Sequence, residues 1–496
     1  MSIQHRFLPK LKILSETELE WINETALKIL EDIGVRFHHK EALDFLNRAG
    51  ARIEGDNLVK IPRNLIEGAL NRAPSHFTLY NRDMTENLVW GNPYIHFGAG
   101  GSAIRFLDSD GKTSRNPTTE DLLKTYQLID ALPEVSWMAP GFIVKDVPAE
   151  IAGLWRFYLR LKFGSKPSCP DGISIQDLID NLDLLRIVRG SEETFYEKPF
   201  GPVQSCPTPP LMWSEEGAGF LVEGARARLP ISFISMPFAG AGAPATVAGS
   251  IVQQVAETLS GLVLVQTISS GNACIYAGAP AYMDMRYGTA ALSSIEAMMM
   301  HIANTQMGKY YNLPTGTGDC TGSSDSKLTD FQAGAESAMS QFLIPLAGNN
   351  GPVGLGFLES QATYSLEKLV LDHEICRSVK RLIHGIDVSK ETLALEVIKE
   401  VGAGGNFLEH QHTLHWFRKE YLFPTVFDRQ GREGWETAGW KDTHSRARER
   451  IKEIFNGTSL NRLDPAVDNA LDQKMDSILQ RRGLKLADFK SLFPSK

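Results

Sequence analysis

The fold class this sequence predicts is α/β, a (β/α)8 TIM barrel with an N-terminal helical extension and a C-terminal helical cap. Three observations predict it. Eight short runs of apolar or small residues recur at 94–97, 135–138, 166–169, 201–206, 231–238, 273–278, 313–317 and 352–357. Helix-compatible stretches separate them, and parallel strands need crossovers of that kind. Polar and aromatic residues gather where the runs stop, which is where such a barrel keeps its chemistry. An open doubly wound sheet shares this rhythm. The chain divides accordingly into 1–90, an N-terminal helical extension, 91–385, the barrel, and 386–496, the cap.

In order, Leu19, Ile22, Ala26, Ile29, Leu30 and Ile33 form one helical face, and Ala42, Leu43 and Leu46 a second. Pro62 stands before a third helix at 64–71, where a missing amide hydrogen costs little. Residues 76–80 and 88–90 read as strands leading into the barrel. The crossovers are expected at 119–131, 151–161, 175–188, 215–227, 246–268, 293–310 and 326–347, and 366–382 closes the ring. The 326–347 helix is expected to be capped by Ser326 or Asp325 and to bury Leu328 and Phe331. Residues 104–115 read as a hairpin around Asp110-Gly111. Beyond Gly385 a helix is expected at 389–401, and the charge-alternating tail from Trp440 reads as a solvated cap.

The chain has 496 residues, 43% hydrophobic and 22% charged, with a net charge of −8. That balance, with no long Lys/Arg block, excludes a general nucleic-acid binder. Small molecules or proteins are the expected partners. Five cysteines lie far apart with no CxxC pair, which points to free thiols. The first twelve residues lack an apolar signal core, and no charge-free run approaches ~18 apolar residues, so a cytoplasmic protein without a membrane span is expected.

Several groups carry candidate chemistry. His410, His412 and His415, with Glu409, cluster within a few residues, but their spacing is not that of a helical metal-binding pair. The glycines at 98–101 and 240–249 do not follow the dinucleotide pattern of strand, GxGxxG and helix, and no phosphate-binding P-loop is present. Tyr94, His96, Phe97, Trp137, Met138, Met236, Phe238, Tyr276, Tyr282, Tyr287 and Phe357 fall near predicted strand ends. Each alone suits the core; as a set they suit a pocket for a cation that cannot be hydrogen-bonded, since aromatic faces hold a quaternary ammonium. Asp284, Asp319 and Glu359 could add negative charge, and Arg286 could answer a substrate carboxylate. Loop-tying salt bridges are the plainer alternative for each.

The motifs resemble the trimethylamine methyltransferase superfamily of corrinoid-dependent amine methyltransferases. The resemblance rests on residues 242–249, Ala256-Glu257, Gly261, Asp284-Met285-Arg286, Asp325-Ser326-Lys327, residues 330–336, Gly356-Phe357-Leu358-Glu359, residues 372–375, residues 400–408 and His412-Thr413. It spans nearly the whole chain. It implies a TIM barrel that moves a methyl group from a methylated amine to cobalt on a separate corrinoid protein. All residues here are standard, so the chain looks like the branch without pyrrolysine, whose characterised members resemble glycine betaine methyltransferases. Another betaine, such as proline betaine, carnitine or butyrobetaine, is the alternative substrate. A metal-dependent barrel lyase or hydrolase using Asp319 and the histidines, and a non-catalytic quaternary-amine binder, are the alternatives outside that class.

The implied chemistry needs no catalytic acid or base, only positioning and desolvation. The expected substrate-binding set is Tyr94, His96, Phe97, Phe238, Tyr276, Arg286, Asp319, Gln332, Phe357, Glu359 and His412, with His96, Arg286, Gln332 or one of His410, His412 and His415 fixing a carboxylate. No metal and no cofactor bound by the chain itself are expected; cob(I)alamin on the partner corrinoid protein is the methyl acceptor. A homo-oligomer is possible.

Overall fold

Ser15 opens the N-terminal preface. Its hydroxyl accepts from the Glu18 amide while the Glu18 carboxylate accepts from the Ser15 amide, a reciprocal cap for α1 (Glu16–Lys28). The computed structural model describes residues 11–170 and 172–493; the first ten residues, part of the stretch read for a signal core, lie outside them. The expected apolar face holds: Leu19, Ile22 and Ala26 are buried, and a π-helical turn (Ile29–Ile33) follows. Next come α2 (Lys40–Ala49) and α3 (Arg63–Arg72), the latter with Pro62 as its capping residue. Strands Val35–Phe37, Arg52–Glu54 and Leu58–Lys60 lie between these helices and form one sheet, which Val35–Phe37 joins to Met212–Trp213. Three residues are too few to show alternation, so sequence periodicity misses them.

The hairpin of Phe77–Tyr80 and Asn87–Trp90 lies against the amino ends of the parallel segments. Trp90 is its plug. Its ring occupies the space a side chain at Gly351 would need, its Nε1 donates to the Thr315 carbonyl at 3.2 Å, and it meets Trp137 edge to face at 5.1 Å.

The predicted runs then lie in a series of parallel contacts from Val203 round through the first run to Met138 and Ser168, with a single backbone bond between Ser168 and Phe200. Phe97–Ala99 pairs with Val135–Met138, Met138 bridges Ser168, and the Ser168 amide donates to Phe200. Val203–Ser205, Ile231–Ser235 and Cys274–Gly278 run in parallel register. Tyr276 bridges Thr315, Gly316 bridges Gly351, and Val353–Leu355 pairs back onto the first run. Strand alternation sorts the side chains. Ile275 and Ala277 join Trp137, Ile234 and Val353 in one core cluster, whereas Cys274 and Tyr276 join the larger cluster beneath the helices.

The crossovers are α4 (Thr119–Ala131), α5 (Ala152–Phe163), α6 (Ile175–Arg189) with the short α7 (Glu192–Glu197), α8 (Glu215–Arg226), α9 (Val247–Ile268), α10 (Ile295–Tyr310) and α11 (Phe331–Leu346), followed by α12 (Leu366–His384). Helix α9 is long and apolar enough to cross a membrane by composition, but it is mostly buried in this fold, packed by α1, α2, α3, α8 and α10.

Three expectations are corrected. The first strand begins at Phe97, so Tyr94 and His96 precede it. Helix α11 begins at Phe331 with Asp330 as its cap, and Phe331 is 90% exposed; residues 324–326 are instead held as a loop by backbone bonds to Glu359 and Ser360. The tail is also more than a solvated cap. After α13 (Leu395–Val401), α14 (Gln411–Glu420) and α15 (Arg432–Thr437), helix α16 (Thr443–Gly457) buries Ala447, Ile451 and Ile454, and α17 (Pro465–Arg481) buries Leu471, Met475, Ile478 and Leu479. Helix α17 lies on α5 and α6, where Lys162 meets Asp468 and Asp472 and Arg482 meets Asp177 and Asp180.

A buried ion pair ties the last two strand ends together. Lys368 Nζ contacts the Asp372 carboxylate at 2.6 and 2.7 Å and donates to the Gly322 carbonyl at 2.6 Å, while Asp372 accepts from the Gly356 amide at 2.8 Å. Burial pulls the lysine pKa down and the aspartate pKa up, so the pair stands on its mutual contact and these backbone bonds. Lys368→Met should therefore cost about 3–5 kcal/mol in chemical denaturation, because it strands a buried carboxylate. The double variant Lys368→Met, Asp372→Leu should recover much of that loss; no recovery would mean that the backbone bonds, rather than the stranded charge, dominate.

Candidate active site

Five of the parallel segments end in a proline step: Ala139-Pro140, Cys169-Pro170, Cys206-Pro207, Met236-Pro237 and Ala279-Pro280. Proline cannot donate to a ladder, so the chain leaves the sheet there and the carboxyl ends open into loops. That motif was readable in the sequence and was missed.

At this end two side chains converge. A Cβ on Gly101 would fall 2.4 Å from Cζ of Phe357 and 2.7 Å from Oδ2 of Asp319, so a ring edge and a carboxylate flank one point of bare backbone. Cys206 is exposed at the end of its segment, and the Asp319 charge helps push its thiol up to about 12, so Asp319 lies near the point, here the recess, where solvent reaches the carboxyl ends. Phe238, Met236 and Tyr282 are half-buried at the ends of the neighbouring segments. Buried Arg156 approaches the same rim, with its Nη1 3.4 Å from Ser102 Oγ.

The backbone around the recess is strained. Asp319 has φ +55°, and Glu359, Ser360 and Gln361 follow one another at +54°, +51° and +72°. Left-handed residues other than glycine cost roughly 1–2 kcal/mol each, and such strain survives only where the surroundings impose it. Here the Glu359 amide donates to the Ser326 carbonyl at 2.7 Å and the Ser360 amide to Ser324 at 3.0 Å. Ser360 Oγ donates to Asp325 at 2.8 Å, and Gln361 Nε2 donates to the Asp319 carbonyl at 3.0 Å. Asp325, its pKa raised by burial, also accepts from the Ser293 amide, and Glu336 accepts from Ser324 and the Asp325 amide. Gln361 was missed because its role comes from backbone conformation, which no spacing reveals.

The predicted residues separate into groups. Asp319, Phe357 and Glu359 lie at the carboxyl ends, where Glu359 accepts from Thr363 Oγ1 at 2.7 Å; Phe238 is nearby. Phe97 and Tyr276 are fully buried among the helix-facing side chains. Tyr94 and His96 stack on each other at the opposite, amino end, with His96 Nε2 2.9 Å from the Val89 carbonyl. Arg286 is exposed on a hairpin tip, where its guanidinium holds Asp284 down at about 2. Gln332 is exposed and donates to Glu336. His412 lies tilted against Trp416 in α14, His410 caps that helix, and His415 faces Lys419. Among the described residues no group of three or more His, Cys, Asp or Glu is placed to hold a metal ion.

Residues 1–483 match the family model described as trimethylamine methyltransferase (MTTB). Trimethylamine methyltransferase MttB of Desulfitobacterium hafniense (strain DSM 10664 / DCB-2) is 32% identical over 442 residues, 89% of this chain and 88% of that protein. Glycine betaine methyltransferase of Desulfitobacterium hafniense (strain Y51) is 30% identical over 486 residues, 97% of this chain and 99% of that protein. The crystal structure of the hydroxylamine MtmB complex shares the fold at TM-score 0.50 and 12% identity, covering 89% of this chain and 88% of that one.

Two measurements check the geometry. Cys206 should react slowly with iodoacetamide at pH 8, and Asp319→Asn should speed it several-fold, since removing a nearby negative charge lowers a thiol pKa; an unchanged rate would separate the two residues. Gly101→Ala should cost about 1–3 kcal/mol by overpacking Phe357, whereas Gly334→Ala, with nothing near its Cβ, should stabilise α11 by about 0.5–1 kcal/mol. Equal effects of the two on thermal unfolding would contradict the packing described.

Proposed function

Because the chain belongs to the trimethylamine methyltransferase (MTTB) family and is a methyltransferase, we propose that it moves a methyl group from a quaternary amine, glycine betaine or a close relative, to Co(I) of a separate corrinoid protein. The reaction takes place at the carboxyl ends of a (β/α)8 barrel spanning 91–385, with 1–90 and 386–496 as its extensions. The chain of parallel contacts that returns from Val353 to Gly98 supports that architecture. One observation carries the site: the Asp319 carboxylate and the Phe357 ring edge meet at Gly101 in a recess open to solvent at Cys206.

A trimethylammonium group suits that recess. It has no N–H to donate, so it is held by aromatic faces, worth roughly 0.5–2 kcal/mol per good contact, and by nearby negative charge. Phe238, Tyr282 and Met236 offer further contact. Arg156, beside Ser102, is the cation placed to answer a substrate carboxylate, in place of Arg286, Gln332 and the histidines considered earlier.

Co(I) on the partner protein supplies the electron pair that takes the methyl group. The residues of this chain orient one N-methyl outward past the small rim at Gly100-Gly101 and exclude water from the rest of the cation. No proton moves, since a quaternary nitrogen leaves as a neutral tertiary amine. The cation's charge is lost as the bond breaks, so tight ground-state pairing would slow the step. One carboxylate with aromatic neighbours satisfies that condition better than several carboxylates.

Mixed with cob(I)alamin or a corrinoid protein, the purified chain should demethylate glycine betaine, followed by cobalt absorbance, and should leave trimethylamine unreacted. Asp319→Asn should lower turnover at least tenfold with a melting temperature close to that of the parent. The relative named for trimethylamine is as similar as the one named for glycine betaine, so trimethylamine turnover equal to or faster than betaine turnover overturns the substrate assignment.

A further inference from the structure

Two of the stretches that carry the family resemblance, residues 242–249 and Ala256-Glu257, meet in the first half of α9. Glu257 is fully buried there, and among the described residues no cation pairs with it. Its Oε2 accepts from Ser235 Oγ at 2.5 Å, and its Oε1 accepts from the Leu211 amide and from Gln253 Nε2, each at 2.9 Å. Burial pushes its pKa up, and the three donors pull it back. An apolar side chain would be cheaper to bury. What the carboxylate supplies is acceptors in fixed places.

Each bond ends on a loop that bears a side chain of the recess. Ser235 closes the fifth segment, just before Met236, Pro237 and Phe238. Of residues 207–211, which follow Cys206, three are prolines with no amide hydrogen to donate, and Thr208 donates within the loop to Met212 at 2.7 Å. The Leu211 amide is thus the donor that ties this loop to α9. Leu211 is left-handed at φ +52°, a conformation that its surroundings must impose. Gln253, one turn before Glu257, also donates to the Gly242 carbonyl at 2.8 Å. Gly242 stands in the turn whose Ala241 and Ala243 amides both donate to the Phe238 carbonyl, and a Cβ on it would lie 3.3 Å from Cβ of Pro209. The two loops therefore pack on each other and are pinned to one helix.

We propose that Glu257, together with Gln253, is a positioning residue for methyl transfer: it holds the Cys206 loop and the Phe238 turn at one separation and so places the wall against which the substrate cation rests. This rests on the recess being the site of the reaction. A wall that meets the cation alike before and during displacement acts on binding rather than on the rate of the step.

The test uses the full chain, with KM and kcat measured for whichever methylated amine the parent turns over and Cys206 alkylation by iodoacetamide followed by mass spectrometry. In Glu257→Gln the amide oxygen still accepts from Leu211 and Gln253, and the amide nitrogen donates to Ser235 Oγ, so all three readings should match the parent. Glu257→Leu removes all three bonds. KM should then rise about tenfold with kcat nearly unchanged, and Cys206 should alkylate several-fold faster while the four buried cysteines stay unmodified. If Glu257→Leu does not fold, Gln253→Leu, which frees the Gly242 carbonyl, should still raise KM several-fold at unchanged kcat. A lowered melting temperature with KM, kcat and Cys206 reactivity at parental values would make Glu257 merely structural and overturn the proposal, as would a Gln variant that behaves like the Leu variant, or an unchanged KM in Gln253→Leu. A parent that turns over trimethylamine and not betaine overturns the substrate assignment alone, since the same shifts are then read with trimethylamine.

Discussion

The Lys368–Asp372 pair is the constraint on which the carboxyl-end loops depend. One side chain holds the Gly322 carbonyl of the loop after the seventh segment, and the other holds the Gly356 amide after the eighth. Both charges are buried, and a buried pair is a poor source of net stability compared with apolar packing. What it supplies is a fixed distance between two irregular loops that share no regular ladder. Residues 318–326 and 356–361 are thereby tied to each other, and the left-handed run at Glu359-Ser360-Gln361 is held by bonds across that junction.

That coupling fixes a carboxylate beside an aromatic edge at the bare backbone of Gly101. Asp319 takes its direction from a left-handed backbone and from Gln361, which grips its carbonyl. Gly101 keeps the facing wall bare. The nearby acids are already committed: Asp325 to Ser360 and Ser293, Glu336 to Ser324, Glu359 to Thr363. Negative charge in the recess is thus limited by hydrogen bonding that pins the other carboxylates elsewhere.

Much of the architecture was legible in the sequence. The alternation of apolar runs with helical periodicity located most of the parallel segments and the longer helices between α4 and α12, though not the short α7, because each long element buries a face wide enough to repeat. Legibility failed where the stabilising bonds are local and irregular. Asp325 and Ser326 look like a helix cap by type, yet they bond across to the 359–360 turn, and the helix waits until Asp330. Of the candidate site, the placement of Asp319, Phe357 and Glu359 at the carboxyl ends was legible, because polar or aromatic residues at the end of an apolar run stand out. Tyr94 and His96 were misplaced because a shift of a few residues in a strand start moves a side chain from one end of the fold to the other. Gln361, Gly101 and Arg156 depend on φ angles and on contacts across the chain, which spacing does not encode.

Two of the stretches that carry the family resemblance lie far apart. One, Gly356-Phe357-Leu358-Glu359, lies at the recess. The other, residues 400–408 with His412 and Thr413, lies on an arm, residues 386–423, at the far end of α12, where His410 caps a helix and Thr413 Oγ1 donates to the Phe407 carbonyl at 2.6 Å. Glycines at 402 and 404 adopt φ of +68° and +80° there, so the turn has a defined shape although neither helix it joins has a buried residue. Helix α12 joins the two regions: its first turns clamp the loops after the last two segments through Lys368 and Asp372, and its last turns hold the arm through Arg377 and Arg381.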